Sequence, residues 1–385
     1  MRGLVLLLAV ALLTACGGTP SRIYPADRLH NMQQDYRVVT EWTRNAGHGI
    51  SAVGDALVPA VHNEEVIVVD RRGRMSAYDL ETGRRLWRMA LGEPVSAGPA
   101  VTDELIVVGT RKGQVLALDR ESRERLWETG VSSEVLASPV VDGNMVAVMS
   151  NDGRLYALRA DSGARRWLYD RTMPPLKLRG TSTPMLTSRR VYAGLPNGRV
   201  VALDRDDGSL VWEARAGIAR GASDIERMRD ILGDLVLHQG ALFAVSYQGE
   251  VVSLDPVQGS TSWNRGLSSS AGLATDRERV YVTEANGRIW ALDRGSGAAI
   301  WRQDETEGLQ ATAPVIHQDH LVFADDRGAL TWLDASSGDF VARRRLREED
   351  DSISQPPVTA DGDLLVLTDR GRLYRVSLQP QPQPH

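Results

Sequence analysis

Gly73-Arg-Met-Ser-Ala-Tyr-Asp79-Leu-Glu-Thr-Gly83-Arg-Arg-Leu-Trp87 returns, in register, along most of the 385-residue chain. Gly198 opens Gly-Arg-Val-Val-Ala-Leu-Asp-Arg-Asp-Asp-Gly-Ser-Leu-Val-Trp212, and Gly287 opens an equivalent stretch ending at Trp301. The starts are Gly73, Gly113, Gly153, Gly198, Gly249, Gly287, Gly328 and Gly371, spaced by 40, 40, 45, 51, 38, 41 and 43 residues. A period near 40 marks a propeller or a solenoid.

Each unit has a physical reading. After the opening Gly, alternating Val115, Ala117 and Asp119 with Leu116 and Leu118 between them predict a strand buried on both faces. Asp79, Asp119, Asp204, Asp255, Asp293 and Asp334 sit at one offset, and Gly83, Gly163, Gly208, Gly259, Gly297 and Gly338 four residues later. That is turn chemistry: Asp bonds its own backbone and Gly accepts positive φ. A further strand leads to Trp87, Trp127, Trp167, Trp212, Trp263 and Trp301, and two apolar runs precede each opening Gly. Four strands per repeat make one propeller blade. A Trp on each outer strand predicts a wedge between blades that buries roughly 150–250 Å². At 25 cal/mol per Å² this is at most about 4–6 kcal/mol. Trp290 and Trp332 are out of register and read as core. Arg123 replaces the turn Gly in the second repeat, Arg159 the Asp in the third and Ala342 the Trp in the seventh.

The two ends complement each other. Residues 36–44 read as an outer strand carrying Trp42 with no opening Gly, whereas the repeat at Gly371 runs out before its outer strand. Pairing the ends gives an all-β, eight-bladed propeller over 36–378, with no exposed sheet edge left by an open array. Residues 379–385, rich in Pro and Gln, read as an extended, solvated tail.

Length alone predicts two or three domains, but a closed ring is one. A net charge of −5 argues against a nucleic-acid partner. Residues 1–15 hold Arg2 and the apolar run Leu4 to Leu13, too short to span a bilayer and patterned as a secretory signal. Leu13-Thr-Ala-Cys16 resembles the bacterial lipobox, with a chance Cys after an ordinary signal as the alternative. The resemblance implies cleavage before Cys16 and acyl chains such as palmitate, a stable anchor when several are attached. Gly17 in place of Asp favours the outer membrane. Residues 16–35 read as a tether from lipid to domain.

Two connections are long. Trp167 to Pro184 spans 17 positions and Trp212 to Val236 spans 24, against 12 for the links after Trp87 and Trp127. Both join an outer strand to the next inner strand, so both lie on one rim, often the binding face of a repeat array. The first holds Pro174-Pro-Leu176-Lys-Leu178-Arg179-Gly180. If extended, it points Leu176 and Leu178 one way and Lys177 the other. In the second, Ser223 and Glu226 form a capping-box pattern that predicts a short helix before Asp230. On the residues alone, a protein-binding patch and an inward apolar plug are both open.

No nucleophile elbow, phosphate loop, metalloprotease helix or Cys-rich metal site appears. His317 and His320 read as a solvated turn, since two ligands are too few for a metal. Asp206-Asp-Gly208 and Asp361-Gly-Asp363 read as turns rather than calcium loops. Arg343-Arg-Arg345 followed by Glu348 to Asp351 reads as a self-compensated exposed loop.

The repeat resembles the tryptophan-docking repeat of propellers of the pyrroloquinoline quinone (PQQ) type. That is a statement about fold, not function. Quinone-dependent dehydrogenases share it but resemble one another in a vicinal Cys pair, impossible with one Cys. The chain is more closely similar to the BamB family, lipoproteins of the β-barrel assembly (BAM) complex. Leu176-Lys-Leu178-Arg179-Gly180 is similar to that family's L-S-L-R-G loop, and Ile225 to Asp230 to its I-D-R-L-x-D segment. The resemblance implies an eight-bladed periplasmic propeller, without enzymatic activity, cofactor, metal or small-molecule substrate. It implies contact with the POTRA domains of BamA through Leu176, Leu178, Arg179 and Asp230, and a lipid anchor at the outer membrane of a Gram-negative cell. Exposed outer strands offer edges to unfolded outer-membrane proteins. The family's second Asp is absent here, where Leu232 stands, and Asp234 is the nearest later carboxylate. A PQQ-dependent periplasmic dehydrogenase is the alternative.

Overall fold

The computed structural model describes residues 29, 34–50, 54–171, 173–174, 176–217, 223, 225–226, 228–346 and 351–381. The signal segment, Cys16 and nearly all of the tether lie outside them, as do residues 382–385 of the tail. Eight antiparallel sheets of four main strands follow one another around a ring. Blades 1 to 7 run over residues 60–90, 95–130, 140–169, 185–215, 236–265, 272–303 and 315–345. Blade 8 takes three strands from residues 358–380 and its outer strand from Tyr36–Asn45. Blade 2 gains a two-residue fifth strand, Ala56–Leu57, parallel to Ala97 and Gly98. Among the described residues no helix is long and apolar enough to cross a membrane.

Hydrophobic runs set the order within a blade. The second and third strands are buried on both faces, as in Leu105–Thr110 and Leu155–Leu158. The turn Asp behaves as its position requires. Asp79 Oδ1 accepts from Thr82 N (2.8 Å) and Thr82 Oγ1 (2.6 Å), and Gly83 N donates to Asp79 O (2.9 Å). The Asp361-Gly362 pair, with φ of 50° and 78°, is a two-residue hairpin turn.

The ring closes by register. Tyr36 pairs with Pro380 and Asn45 with Arg372, so the last strand extends two residues past the predicted boundary at 378. Each outer strand carrying Trp has a bulge just before it, between Thr40 and Trp42 as between Arg125 and Trp127. The bulge inserts one unpaired residue and re-aims the next side chain. It also explains why Leu126, Val211 and Ile300 are exposed.

The re-aimed Trp docks on the next blade. Trp42 Nε1 donates to Leu80 O (3.0 Å), Trp127 to Ala160 O (2.7 Å), Trp167 to Arg205 O (2.9 Å) and Trp212 to Pro256 O (3.0 Å). Trp263 and Trp301 donate likewise to Arg294 O (2.8 Å) and Ala335 O (3.0 Å). Each ring lies on the turn Gly of that blade. A Cβ on Gly259, at φ 74°, would stand 2.5 Å from Trp212. Only glycine meets both demands. Trp87 faces Arg123 instead, at φ 63°. Its ring stays half-buried under the guanidinium, 5.3 Å from the centroid.

Three local readings change. Trp290 is half-buried between Arg265 and Arg302 rather than core, with Nε1 donating to Glu284 (2.8 Å), because its strand position faces outward. His317 and His320 flank a turn but are buried. His317 Nε2 donates to Gly362 O (2.8 Å) and its Nδ1 accepts from Trp332 (3.1 Å). Arg343 to Arg345 belong to the outer strand of blade 7, and Arg343 reaches buried Asp325 at 2.7 Å.

Candidate functional site

The links from outer strand to next inner strand, and the turns between second and third strands, share one rim. The two long links therefore arise side by side, after blades 3 and 4. Two carboxylates of the second hold the backbone of the first. Leu178 N donates to Asp230 Oδ2, and Thr183 N donates to Asp234 Oδ1 at 2.8 Å. Gly180 fits between Leu232 and Gly54 at φ 126°. Leu176, Leu178, Arg179 and Asp230 thus fall in one place.

The second link is anchored from below. Ile231 is buried, and a Cβ on Gly194 would stand 2.4 Å from its Cγ2, so it fills the space against blade 4. Tyr247 N donates to Asp230 O (2.9 Å). Ser223 and Glu226 do exchange capping bonds, Ser223 N to Glu226 Oε2 at 3.1 Å and Glu226 N to Ser223 Oγ at 3.2 Å. The described residues there make one turn, not a helix. Arg229 Nη1 donates to the carbonyls of Glu226 (2.8 Å) and Met228 (2.7 Å), satisfying acceptors that a continuing helix would use.

The first link is not extended. It bends at Leu176 and Arg179, so Leu176 is exposed and Leu178 half-buried rather than the two sharing a face. Lys177 Nζ donates to Asn151 Oδ1 (2.8 Å). Burial pushes its ammonium pKa down, against the attraction of Asp230, Asp152 and Glu134. Half-exposed Arg179 Nη2 lies 2.8 Å from Glu134 Oε1 on the link between blades 2 and 3.

Asp230 differs most from its sequence reading. It is fully buried beneath the first link, and burial pushes its pKa up to about 6 despite the Leu178 N–H and the nearby Lys177. Its Oδ1 is buried without a hydrogen-bond partner. A side chain so placed acts by holding the Leu178 backbone. Asp234 makes the equivalent bond to Thr183, so a second acidic staple exists four residues after the first.

Each of the two links exposes one large apolar side chain, Leu176 on the first and Ile225 on the second, 41% and 61% accessible. Sequence reasoning passed over Ile225 and Glu134. Ile225 was inside a matched segment, so its apolar type was the available signal. Glu134 lies in a link of ordinary length and carried none. Among the described residues no three His, Cys, Asp or Glu side chains cluster to hold a metal.

A sequence model described as "Outer membrane protein assembly factor BamB" matches residues 71–303 and 286–379. The chain is 51% identical to the protein of that name from Alkalilimnicola ehrlichii over 98% of its own length and 97% of the relative's. It is 31% identical to that of Escherichia coli, over 96% and 97%. The crystal structure of BamB from Moraxella catarrhalis superposes with a TM-score of 0.81 at 25% identity, over 89% of this chain and 100% of that one. A quinohemoprotein alcohol dehydrogenase from Comamonas testosteroni, TM-score 0.70 at 13% identity, covering 94% of this chain and 79% of that one, shares the fold alone. With the repeats, the ring and nearly the full length in common, this chain belongs to the BamB family of outer membrane protein assembly factors.

Proposed function

We propose that the chain is a non-enzymatic scaffold of the BAM complex and presents its paired-link surface to the POTRA domains of BamA. The observation that carries this reading is the convergence of two insertions on one rim, with Leu176 exposed on the first, three residues before Arg179, and Ile225 exposed on the second. Apolar anchors flanked by an Arg are what a protein-binding hot spot is built from. The ring supports the surface rigidly, since the staples fix the backbone and Ile231 fixes the second link to the core.

Leu176→Asp should weaken recovery of BamA in affinity capture from detergent-solubilised membranes by tenfold or more, about the 2 kcal/mol of a hot-spot residue. Arg179→Glu should weaken it comparably. Both should leave the melting temperature near wild type, because Leu176 is exposed and the half-exposed Arg179–Glu134 pair contributes at most about 1 kcal/mol. Full capture of BamA by both variants would remove this surface from consideration.

The anchor belongs to the same proposal. Acylation at Cys16 places the ring on the periplasmic face of the outer membrane, with room to meet unfolded barrel proteins as well as BamA. Cys16→Ser should abolish incorporation of labelled palmitate and release the protein from the membrane fraction. Retained label in that variant would place the lipid elsewhere.

A further inference from the structure

A second site lies at the seam where blade 8 meets blade 1. A cleft of about 390 Å³ is lined by Asn45, Gly47, His48, Arg74, Arg85 and Arg88. Three guanidinium groups and an imidazole converge there on a chain whose net charge is −5.

The bulge in the outer strand of blade 1 assembles this cluster. In a regular strand, Arg85 and Arg88, three apart, face opposite sides. The bulge absorbs one residue, so Arg85 pairs with Tyr78 and Arg88 with Ser76, while Arg74 heads the same face of the neighbouring strand. That face looks toward blade 8, where Tyr78 O–H donates to Asn45 O (3.1 Å).

One half of the cluster is organised and neutralised. Buried Asp70 Oδ1 accepts from the backbone of Arg72 (2.9 Å) and Arg74 (3.0 Å), and its Oδ2 from His48 N (3.0 Å). Arg74 Nε lies 3.5 Å from Asp70 Oδ2, and Arg74 Nη2 lies 2.8 Å from His48 Nδ1. His48 Nδ1 also lies 3.1 Å from Asp70 Oδ2, so the one buried carboxylate is shared by the Arg74 guanidinium and the His48 ring. The other half is not neutralised. Arg85 and Arg88 are exposed, and no carboxylate among the described residues pairs with either.

We propose that this cleft binds phosphate groups, a monoester or a diphosphate, from a small phosphorylated molecule or a lipid headgroup. Guanidinium forks match phosphate oxygens two at a time. Two unpaired Arg beside a tethered third set the charge to be met. The cleft falls in the roughly 300–1,000 Å³ range of small-molecule sites, so it holds more than a lone ion. It is formed by the seam and does not depend on the paired-link surface.

The test uses the full-length lipidated chain in detergent micelles, titrated calorimetrically in two arms. One arm adds inorganic pyrophosphate, the other short-chain phosphatidic acid in the same micelles. Saturable one-site binding is expected in at least one arm. Arg85→Glu with Arg88→Glu should weaken it by at least about tenfold, the scale of losing a charge-assisted bond, and Arg88→Ala should weaken it less. Arg189→Glu, an exposed Arg in blade 4, should leave it unchanged. Binding of pyrophosphate alone identifies a free phosphate compound as the ligand, and binding of phosphatidic acid alone a headgroup. BamA capture by the double variant should match wild type, which separates this site from the docking surface. Absence of saturable binding in both arms, or equal weakening by Arg189→Glu, overturns the proposal.

Discussion

Trp42→Ala should lower stability by about 3–5 kcal/mol, the cost of truncating a buried aromatic. Trp87→Ala should cost about half as much. The difference is geometric. Trp42 is 7% exposed, lies against Gly83 and donates to Leu80 O, whereas Trp87 is half-buried beneath Arg123. Position adds to the effect at Trp42. Its strand is the piece that the N-terminal side of the chain contributes to blade 8, and Trp42 joins that blade to blade 1. Weakening it opens the seam and exposes the apolar faces that blades 8 and 1 share, Leu365 and Leu373 on one side and Val66 and Tyr78 on the other. The urea midpoints of the two variants, measured together, check the claim. Equal midpoints would show that Trp42 is an ordinary core residue and that closure rests on strand pairing alone.

The second large effect is at Asp230 and depends on pH. Its folded pKa, about 6, lies above the ordinary 3.8 because burial disfavours the charge. Between those values the native state binds more protons than the unfolded one, so this group's contribution falls as pH rises. Stability present below about pH 4 is lost by the time pH passes 6, to the extent of about 3 kcal/mol. Asp230→Asn keeps an acceptor for Leu178 N–H and removes the buried charge. It should therefore raise stability by up to about 3 kcal/mol at pH 7.5 and by almost nothing at pH 4. Urea melts at the two pH values read this directly. Binding separates holding from contact. Asp230→Ala, which frees the Leu178 backbone, should weaken BamA capture about as much as Leu176→Asp, and Asp230→Asn should retain it. Loss of capture by the Asn variant would mean that the partner reads the charge itself.

The repeat was legible to the level of blade count and seam because its offsets are local. A strand, an Asp turn, a Gly and a Trp lie within fifteen residues, and local chemistry places each of them. The convergence of the two long links was legible as well, since alternating strands put every such link on one rim. What each side chain does after convergence was not. The resemblance makes Asp230 a contact residue, yet it is buried beneath the first link, whose Leu178 N–H reaches it from fifty-two residues away. The capping-box pair at Ser223 and Glu226 forms its bonds, but Arg229 ends the turn that a local rule would extend. Trp290 has core composition and an outward position, so two Arg cover it where a blade does not.

The sequence by itself determined the architecture, the closure of the ring, the rim that carries the insertions and the family. These follow from patterns that repeat within a strand or a turn, where steric and hydrogen-bonding preferences act over a few residues. Only the tertiary structure decided that Asp230 is buried and Ile225 exposed, that Arg179 leans on Glu134, and that Arg74, Arg85 and Arg88 share one cleft. Those facts depend on desolvation and on one-residue bulges, which bring a side chain against a neighbouring blade or link that is distant in sequence.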